Sequence, residues 1–292
     1  MPALLIESQR VAHTVAHGTH GRRRAGPGET FWQFRHFDQN DARSGIDWRR
    51  SASSDHLFVR EREWEAAHTV WLWADVSPSM RFRSSLAKVS KESRAVVLAL
   101  ALAELLARGG ERVGLFGRPP FTGRAAARRV AEIMMGDTSE GSLPPSAKLS
   151  RFSECLLFSD FLEPIADMTE RFEEIASQDV RGHLVQILDP AEETLPYAGR
   201  TEFAASEGRD RVIAGRAETL RESYQERLKR HRTDLTALTQ RLGWSLLVHH
   251  TDRPPEEAVL AVHTRLAGLE RDYRYRAPQP VADAGRAAGH QP

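Results

Sequence analysis

Val70-Trp71-Leu72-Trp73-Ala74 is a short apolar run, rich in β-branched and aromatic side chains, that stops abruptly on Asp75. Its length and composition are those of a buried strand. Ser77 and Ser79 follow Asp75 at alternate positions, just before Met80. In extended backbone such positions share a side, so one carboxylate and two hydroxyls can converge. Hard oxygen donors in this arrangement suit Mg²⁺ or Mn²⁺. The same side chains also serve as a metal-free, hydrogen-bonded loop cap. A long apolar helix pattern comes next, with Ser84 or Ser85 as the expected N-cap. Strand, acidic loop and helix form the opening unit of a doubly wound α/β sheet, whose ligands sit at the strand C-termini.

Later segments repeat that unit. The helix pattern from about Ser84 to Arg108 is apolar on nearly all sides in its second half and ends at Gly109-Gly110, which predicts burial against the sheet. Arg112–Phe116 reads as the next strand. Pro119-Pro120 then curtails any edge strand after it. Glu154-Cys155-Leu156-Leu157-Phe158-Ser159-Asp160 is a second apolar run ending on an aspartate. In an open α/β sheet it lies beside the first strand, across the topological switch point, and sets Asp160 opposite Asp75. Two strand-end aspartates with hydroxyls make an octahedral oxygen site with positions left for water or an incoming ligand. His183–Asp189 and Trp244–Val248 are further strands, and Arg200–Phe203 with Arg211–Ile213 reads as a small hairpin. Leu220 to Leu242 carries a helical apolar stripe in which His231 reads as a packed residue, with a heptad seam for a partner helix as the alternative.

The 292 residues carry 41 basic and 40 acidic side chains, a formal charge of +1. Near-neutrality without a basic stripe argues against nucleic acid as a partner, although Arg22–Arg24 precede an aromatic segment. Cys155 is the only cysteine, which fits a reducing compartment. The N-terminal stretch lacks a signal-peptide pattern, and Ala95–Ala107 is too short to span a bilayer. A cytoplasmic location is expected. No Walker-type phosphate loop occurs, so the chain is not expected to hydrolyse ATP.

Before the first strand, Leu57–Glu65 mixes charged and apolar residues partly at period two and reads as a half-exposed strand pairing near Val70–Ala74. Asp41, Arg43, Asp47 and Trp48 read first as a polar turn locked by local hydrogen bonds and an arginine, with a binding role as the alternative. Together, Gly26-x-Gly28-Glu29-x-Phe31, Arg35, Asp41-x-Arg43-x-x-Ile46-Asp47-Trp48, Leu57-x-Val59-Arg60-Glu61 and Asp75-x-Ser77-x-Ser79-Met80 resemble one bacterial family. It is the domain of unknown function number fifty-eight family, a von Willebrand factor A-like group commonly encoded beside MoxR-type AAA+ ATPases. The resemblance spans about Gly21 to Leu266. One departure is Ser51-Ala52-Ser53-Ser54, where the family usually carries an arginine after Ser-Ala.

The resemblance implies a von Willebrand factor A-like fold: a mostly parallel, doubly wound sheet with helices on both faces and an N-terminal β elaboration. The expected organisation is a loosely ordered lead-in over residues 1–20, with a short docked helix as the alternative, the elaboration over 21–67, the A-like domain over 68–269 and a disordered tail over 270–292. It also implies a third hydroxyl from the loop at residues 136–145, Ser142 by alignment and Thr138 as the alternative. With Asp75, Ser77, Ser79 and Asp160 this completes a metal site for Mg²⁺ or Mn²⁺. Arg35, Asp41, Arg43, Asp47 and Trp48 form the signature, either structural or partner-binding. The His249-His250-x-Asp252 cluster is, by the family pattern, a helix entry and not a metal site. The implied function is a metal-dependent protein-binding module partnered with a MoxR-type AAA+ ATPase and a client protein. The alternative is a metal-dependent phosphoester hydrolase at Asp75 and Asp160.

Overall fold

The computed structural model describes residues 2–19, 31–36, 48–52, 56–62, 68–136, 141–204 and 211–273. Five parallel strands form the central sheet: β3 (Thr69–Ala74), β4 (Arg112–Leu115), β5 (Glu154–Ser159), β6 (Arg181–Leu188) and β9 (Ser245–His250). Their spatial order is β4-β3-β5-β6-β9, with every pairing parallel. The order reverses between β3 and β5, so the first strand sits at the switch point, as expected of a von Willebrand factor A-like sheet.

Side-chain alternation along β3 sorts two cores. Val70 and Leu72 join the face covered by α3 (Lys91–Arg108), α4 (Ala126–Gly136) and α8 (Pro255–Tyr273). Trp71 and Trp73 join the opposite face, under α5 (Ile165–Ala176) and α7 (Arg221–Arg241). Period-two strands buried on both sides must be apolar at every position, which is why these runs carry so little charge. Close approach of the tryptophans requires glycine on the neighbouring strands. A Cβ added to Gly114 would lie 2.4 Å from the Trp71 ring, and one added to Gly182 would lie 2.1 Å from the Trp244 ring.

Several expectations need correction. Residues 2–19 follow the alternative reading, a docked helix, and not the loose lead-in: Pro2–Thr19 forms helix α1, which packs on α3 and α8. Its stripe of Leu4, Leu5, Ser8, Val11, Ala12 and Val15 recurs at spacings of three and four, and Val11 and Ala12 are fully buried. The strand expected to pair with β3 does not. Phe58–Arg62 (β2) pairs antiparallel with Phe31–His36 (β1) in a separate sheet. The reason is that β4 and β5 already occupy both edges of β3, leaving no free hydrogen-bonding edge.

Helix α3 starts at Lys91, not near Ser84. Ser84 commits its N–H and hydroxyl to Asp189, while Ser90 caps the helix by accepting from the Ser93 N–H at 3.2 Å. Helix α8 continues through Tyr273, into the stretch expected as a tail; residues 274–292 lie outside the described set. The curtailed edge after β4 is as expected: beyond Pro119-Pro120 a single antiparallel bridge, Val113 to Phe121, stands where an edge strand would run. The hairpin is β7 (Thr201–Ala204) with β8 (Arg211–Ala214), Phe203 opposite Val212. Among the described residues no helix is long and apolar enough to cross a membrane.

The glycine contacts give a direct test of this packing. Gly182→Ala is expected to destabilise the protein by about 1–3 kcal/mol, because the ring or the strand must move. Gly215→Ala, where an added Cβ meets nothing within 4 Å, should be close to neutral. Paired urea denaturation curves distinguish the two, and equal effects would contradict the tight strand–indole approach.

Candidate functional site

Asp75 leaves the C-terminal end of β3 with its N–H still bonded to the Phe158 carbonyl of β5 at 2.8 Å. Its carboxylate is fully buried and oriented by two donors: the Ser77 N–H reaches Oδ1 at 2.8 Å, and the Ser159 hydroxyl reaches Oδ2 at 2.7 Å. Pro78 then starts a 3₁₀ turn (Pro78–Arg81) that carries Ser79 back over the sheet edge. The Ser77 and Ser79 hydroxyls lie 3.1 Å apart, and Ser79 Oγ donates to Asp160 Oδ2 at 3.1 Å. The structure therefore gathers Asp75, Ser77, Ser79 and Asp160 into one cluster across the switch point.

Asp160 is aimed by strained backbone. Phe161, directly after it, has φ 48°, a left-handed conformation that a bulky side chain adopts only under constraint. Three contacts impose it. The Phe161 ring is buried edge-on to Phe172 with centroids 6.1 Å apart, its N–H bonds to Ser159 Oγ at 3.1 Å, and its carbonyl accepts from His231 Nε2 at 2.7 Å. A carbonyl only accepts, so His231 Nε2 carries the proton. His231 is thus a packed residue that braces the turn, as its place on the α7 stripe predicts. Gln186 of β6 adds a fourth tie, donating from Nε2 to the Asp160 carbonyl at 2.9 Å.

Electrostatically the cluster is crowded with carboxylates. Burial raises the Asp75 carboxyl above its ordinary range; hydrogen bonds from Ser77 and Ser159 oppose the rise, and the Asp160 charge adds to it. One ammonium answers them. Lys91 Nζ lies 2.8 Å from Asp160 Oδ2 and 2.5 Å from Glu192 Oε1, with its side chain only 1% exposed. Burial alone would lower its pKa, but Asp160 and Glu192 outweigh that and hold it above the ordinary lysine value. Glu192 belongs to α6 (Pro190–Thr194), where Asp189 and Glu192 form a reciprocal capping box. Asp189 also accepts from the Ser84 N–H at 2.9 Å and the Ser84 hydroxyl at 2.5 Å, pinning the loop between the 3₁₀ turn and α3.

The remaining predicted residues fall elsewhere. Ser142 is half-buried and makes no hydrogen bond to the cluster among the described residues, and Thr138 lies outside them. Asp41, Arg43 and Asp47 also lie outside them. Arg35 is placed on β1 opposite Val59, and Trp48 opens a short helix, α2 (Trp48–Ser51), with its side chain 64% exposed. Ser159, Lys91, Asp189 and Glu192 went unnamed as site residues. The signals were present: a serine immediately before the strand-end aspartate, a lysine opening an apolar helix, and Asp-Pro-x-Glu at the next strand end.

Comparison with known proteins places the chain. The family described as "Protein of unknown function DUF58" matches residues 33–234. The chain belongs to that family. Uncharacterized proteins of Mycobacterium tuberculosis (Rv1480) and Mycobacterium bovis (Mb1516) are each 26% identical over 257 residues, covering 82% of this chain and 80% of theirs. The crystal structure of the conserved hypothetical protein BatB from Bacteroides thetaiotaomicron aligns with 69% of this chain and 100% of its own, at 11% identity and TM-score 0.35. The architecture of this DUF58 protein rests on its own strand order and not on that likeness.

Two buried histidines, His183 on β6 and His249 on β9, contribute to the acid response. Burial pushes His183 down to about 4, with Arg265 and Arg181 adding to it, and His249 down to about 3, with Arg94 and His250 adding to it. Both are neutral in the fold, whereas the unfolded chain protonates near 6.5. Stability present above pH 6.5 is therefore lost as pH falls toward those values. Each histidine contributes a slope of up to about 1.4 kcal/mol per pH unit. His249→Asn should flatten the loss measured by denaturant titration between about pH 6 and pH 4. A slope identical to wild type would contradict the buried neutral state.

Proposed function

We propose that this DUF58 protein is a metal-dependent protein-binding module. The carrying observation is the convergence of Asp75, Ser77, Ser79 and Asp160 at the sheet's C-terminal edge. Two carboxylates and two hydroxyls are a hard-oxygen set suited to Mg²⁺ or Mn²⁺. Four protein oxygens would leave a six-coordinate cation with open positions, one of which a partner's Asp or Glu can fill. Exposed Phe82 and Leu86 follow Ser79, and exposed Leu162 follows Asp160, giving the polar centre an apolar rim of the kind protein partners cover. Family membership makes a MoxR-type AAA+ ATPase the first partner to test, with the protein acting as its cytoplasmic adaptor toward a client. Ser142 or Thr138 would add the third-loop hydroxyl.

Chemistry at the site argues for binding over hydrolysis. A phosphoester hydrolase needs a base beside the cation. His249 and His250 lie on β9, separated from β3 by β5 and β6. His249 is buried, and His250 Nε2 lies 3.3 Å from Glu193. His231 Nε2 is committed to the Phe161 carbonyl.

Millimolar Mg²⁺ or Mn²⁺ should raise the melting temperature. Ligand at about 100 times its Kd contributes roughly 2.7 kcal/mol, worth several degrees. Asp75→Ala should abolish the shift, and a shift equal to wild type in that variant would remove the metal assignment. Capture of a purified MoxR-type ATPase should weaken with chelator and with Ser77→Ala. Phosphoester hydrolysis that disappears in Asp75→Ala would overturn the binding reading in favour of an enzyme.

A further inference from the structure

Lys91 is the charged group at this edge that the binding reaction does not use, and its placement is costly twice over. It opens α3, where the helix dipole disfavours a cation, and it is buried, where an ammonium loses its hydration. Two carboxylates from different elements offset both costs, Asp160 after β5 and Glu192 on α6. The geometry matters as much as the charge. Lys91 Nζ and Ser79 Oγ both donate to Asp160 Oδ2, at 2.8 and 3.1 Å, while Oδ1 accepts from the Leu162 N–H at 3.3 Å. The oxygen of Asp160 that faces the serine hydroxyls is therefore already held by a resident positive charge. The Lys91 side chain is enclosed, only 1% exposed, so the ammonium is held at the site and not in solvent. It already touches a second carboxylate, Glu192 Oε1 at 2.5 Å, itself fixed because the Asp189 N–H holds Oε2 at 2.8 Å.

We propose that Lys91 is a built-in counter-cation of the strand-end site, occupying Asp160 in the metal-free state and setting how tightly the site takes a divalent cation. The inference rests on the metal-binding reading above. Entry of Mg²⁺ or Mn²⁺ places a second cation on Asp160, and the ammonium gives up Asp160 while keeping Glu192 to relieve the repulsion. Affinity for the cation is accordingly held below what the oxygen ligands alone would give, and Glu192 moderates the penalty. A weak site of this kind fills when a partner carboxylate arrives to add negative charge, which couples cation binding to partner binding.

The test measures Mn²⁺ alone, by the electron paramagnetic resonance signal of the free ion, against chelator-treated full-length protein at fixed ionic strength. Wild type, Lys91→Met, Glu192→Gln and Asp75→Ala are compared, each checked by circular dichroism. Lys91→Met should bind Mn²⁺ at least about tenfold more tightly than wild type, the effect of removing one unit charge in direct contact with a ligand. Glu192→Gln should bind severalfold more weakly, because the ammonium then rests wholly on Asp160. Tight binding by Lys91→Met with none detectable in wild type supports the inference. Equal affinity in folded Lys91→Met and wild type, with binding lost in Asp75→Ala, overturns the inference and leaves the metal site standing. Where Lys91→Met does not fold, unchanged affinity in Glu192→Gln overturns it. No Mn²⁺ binding by wild type or any folded variant removes the metal reading and this inference with it.

Discussion

A buried charge must be answered where it lies, and the Asp160–Lys91–Glu192 contact imposes that demand on three elements together. Removing one member of such a buried set costs about 3–5 kcal/mol, because its partners are left charged and unhydrated. Satisfying it fixes the first turn of α3 against the end of β5 and the capping box after β6. The loop between the 3₁₀ turn and α3 is then held at both ends, by Lys91 on one side and by Ser84 on Asp189. Ser77 and Ser79 inherit their positions from that restraint. The apolar layers could form without these polar ties, but they would not by themselves hold the strand-end loops in one arrangement.

The frame was legible because it follows from period and punctuation. Five strand runs, each apolar and bounded by Gly, Pro or Asp, could only be buried parallel strands between helices. Asp75 and Asp160 were visible as strand-terminal carboxylates, and adjacency of β3 and β5 followed from the switch-point rule. The start of α3 was misplaced because Ser84, Ser85 and Ser90 are equally good caps by type. What selects Ser90 is a long-range event, the capture of Ser84 by Asp189 across 105 positions. Helix α1 was underestimated for a different reason. Its stripe uses Ser8 and Ala12 beside Val11 and Val15 and is interrupted by histidines, so its apolar signal is weak until α3 and α8 supply a surface.

Lys91 shows the limit of residue-by-residue reading most clearly. A lysine at the start of an apolar helix is ordinarily a solvated flank. Nothing local marks it for burial, since both of its carboxylate partners lie far along the chain, Asp160 at a separation of 69 and Glu192 at 101. Ser159 was hidden similarly: in a strand buried on both faces its hydroxyl could have pointed either way, and the Asp75 carboxylate decides it. Polar residues inside a doubly wound sheet are thus better interpreted in pairs at strand ends than singly.

The edge of the sheet beside β4 carries a last consequence of this arrangement. A parallel sheet left open exposes unpaired backbone groups along its edge strand. Here Pro119-Pro120 prevents a full antiparallel strand from forming there, yet Phe121 returns to exchange hydrogen bonds with Val113 at 2.7 and 2.9 Å. One bridge covers the centre of a four-residue strand, while Arg129 over the Phe121 ring, 5.7 Å from its centroid, holds the returning segment to α4. The edge is short, and short edges need little cover. The chain that a longer edge strand would have used passes instead into α4, which packs against β4 and α3 on the inner side of that edge.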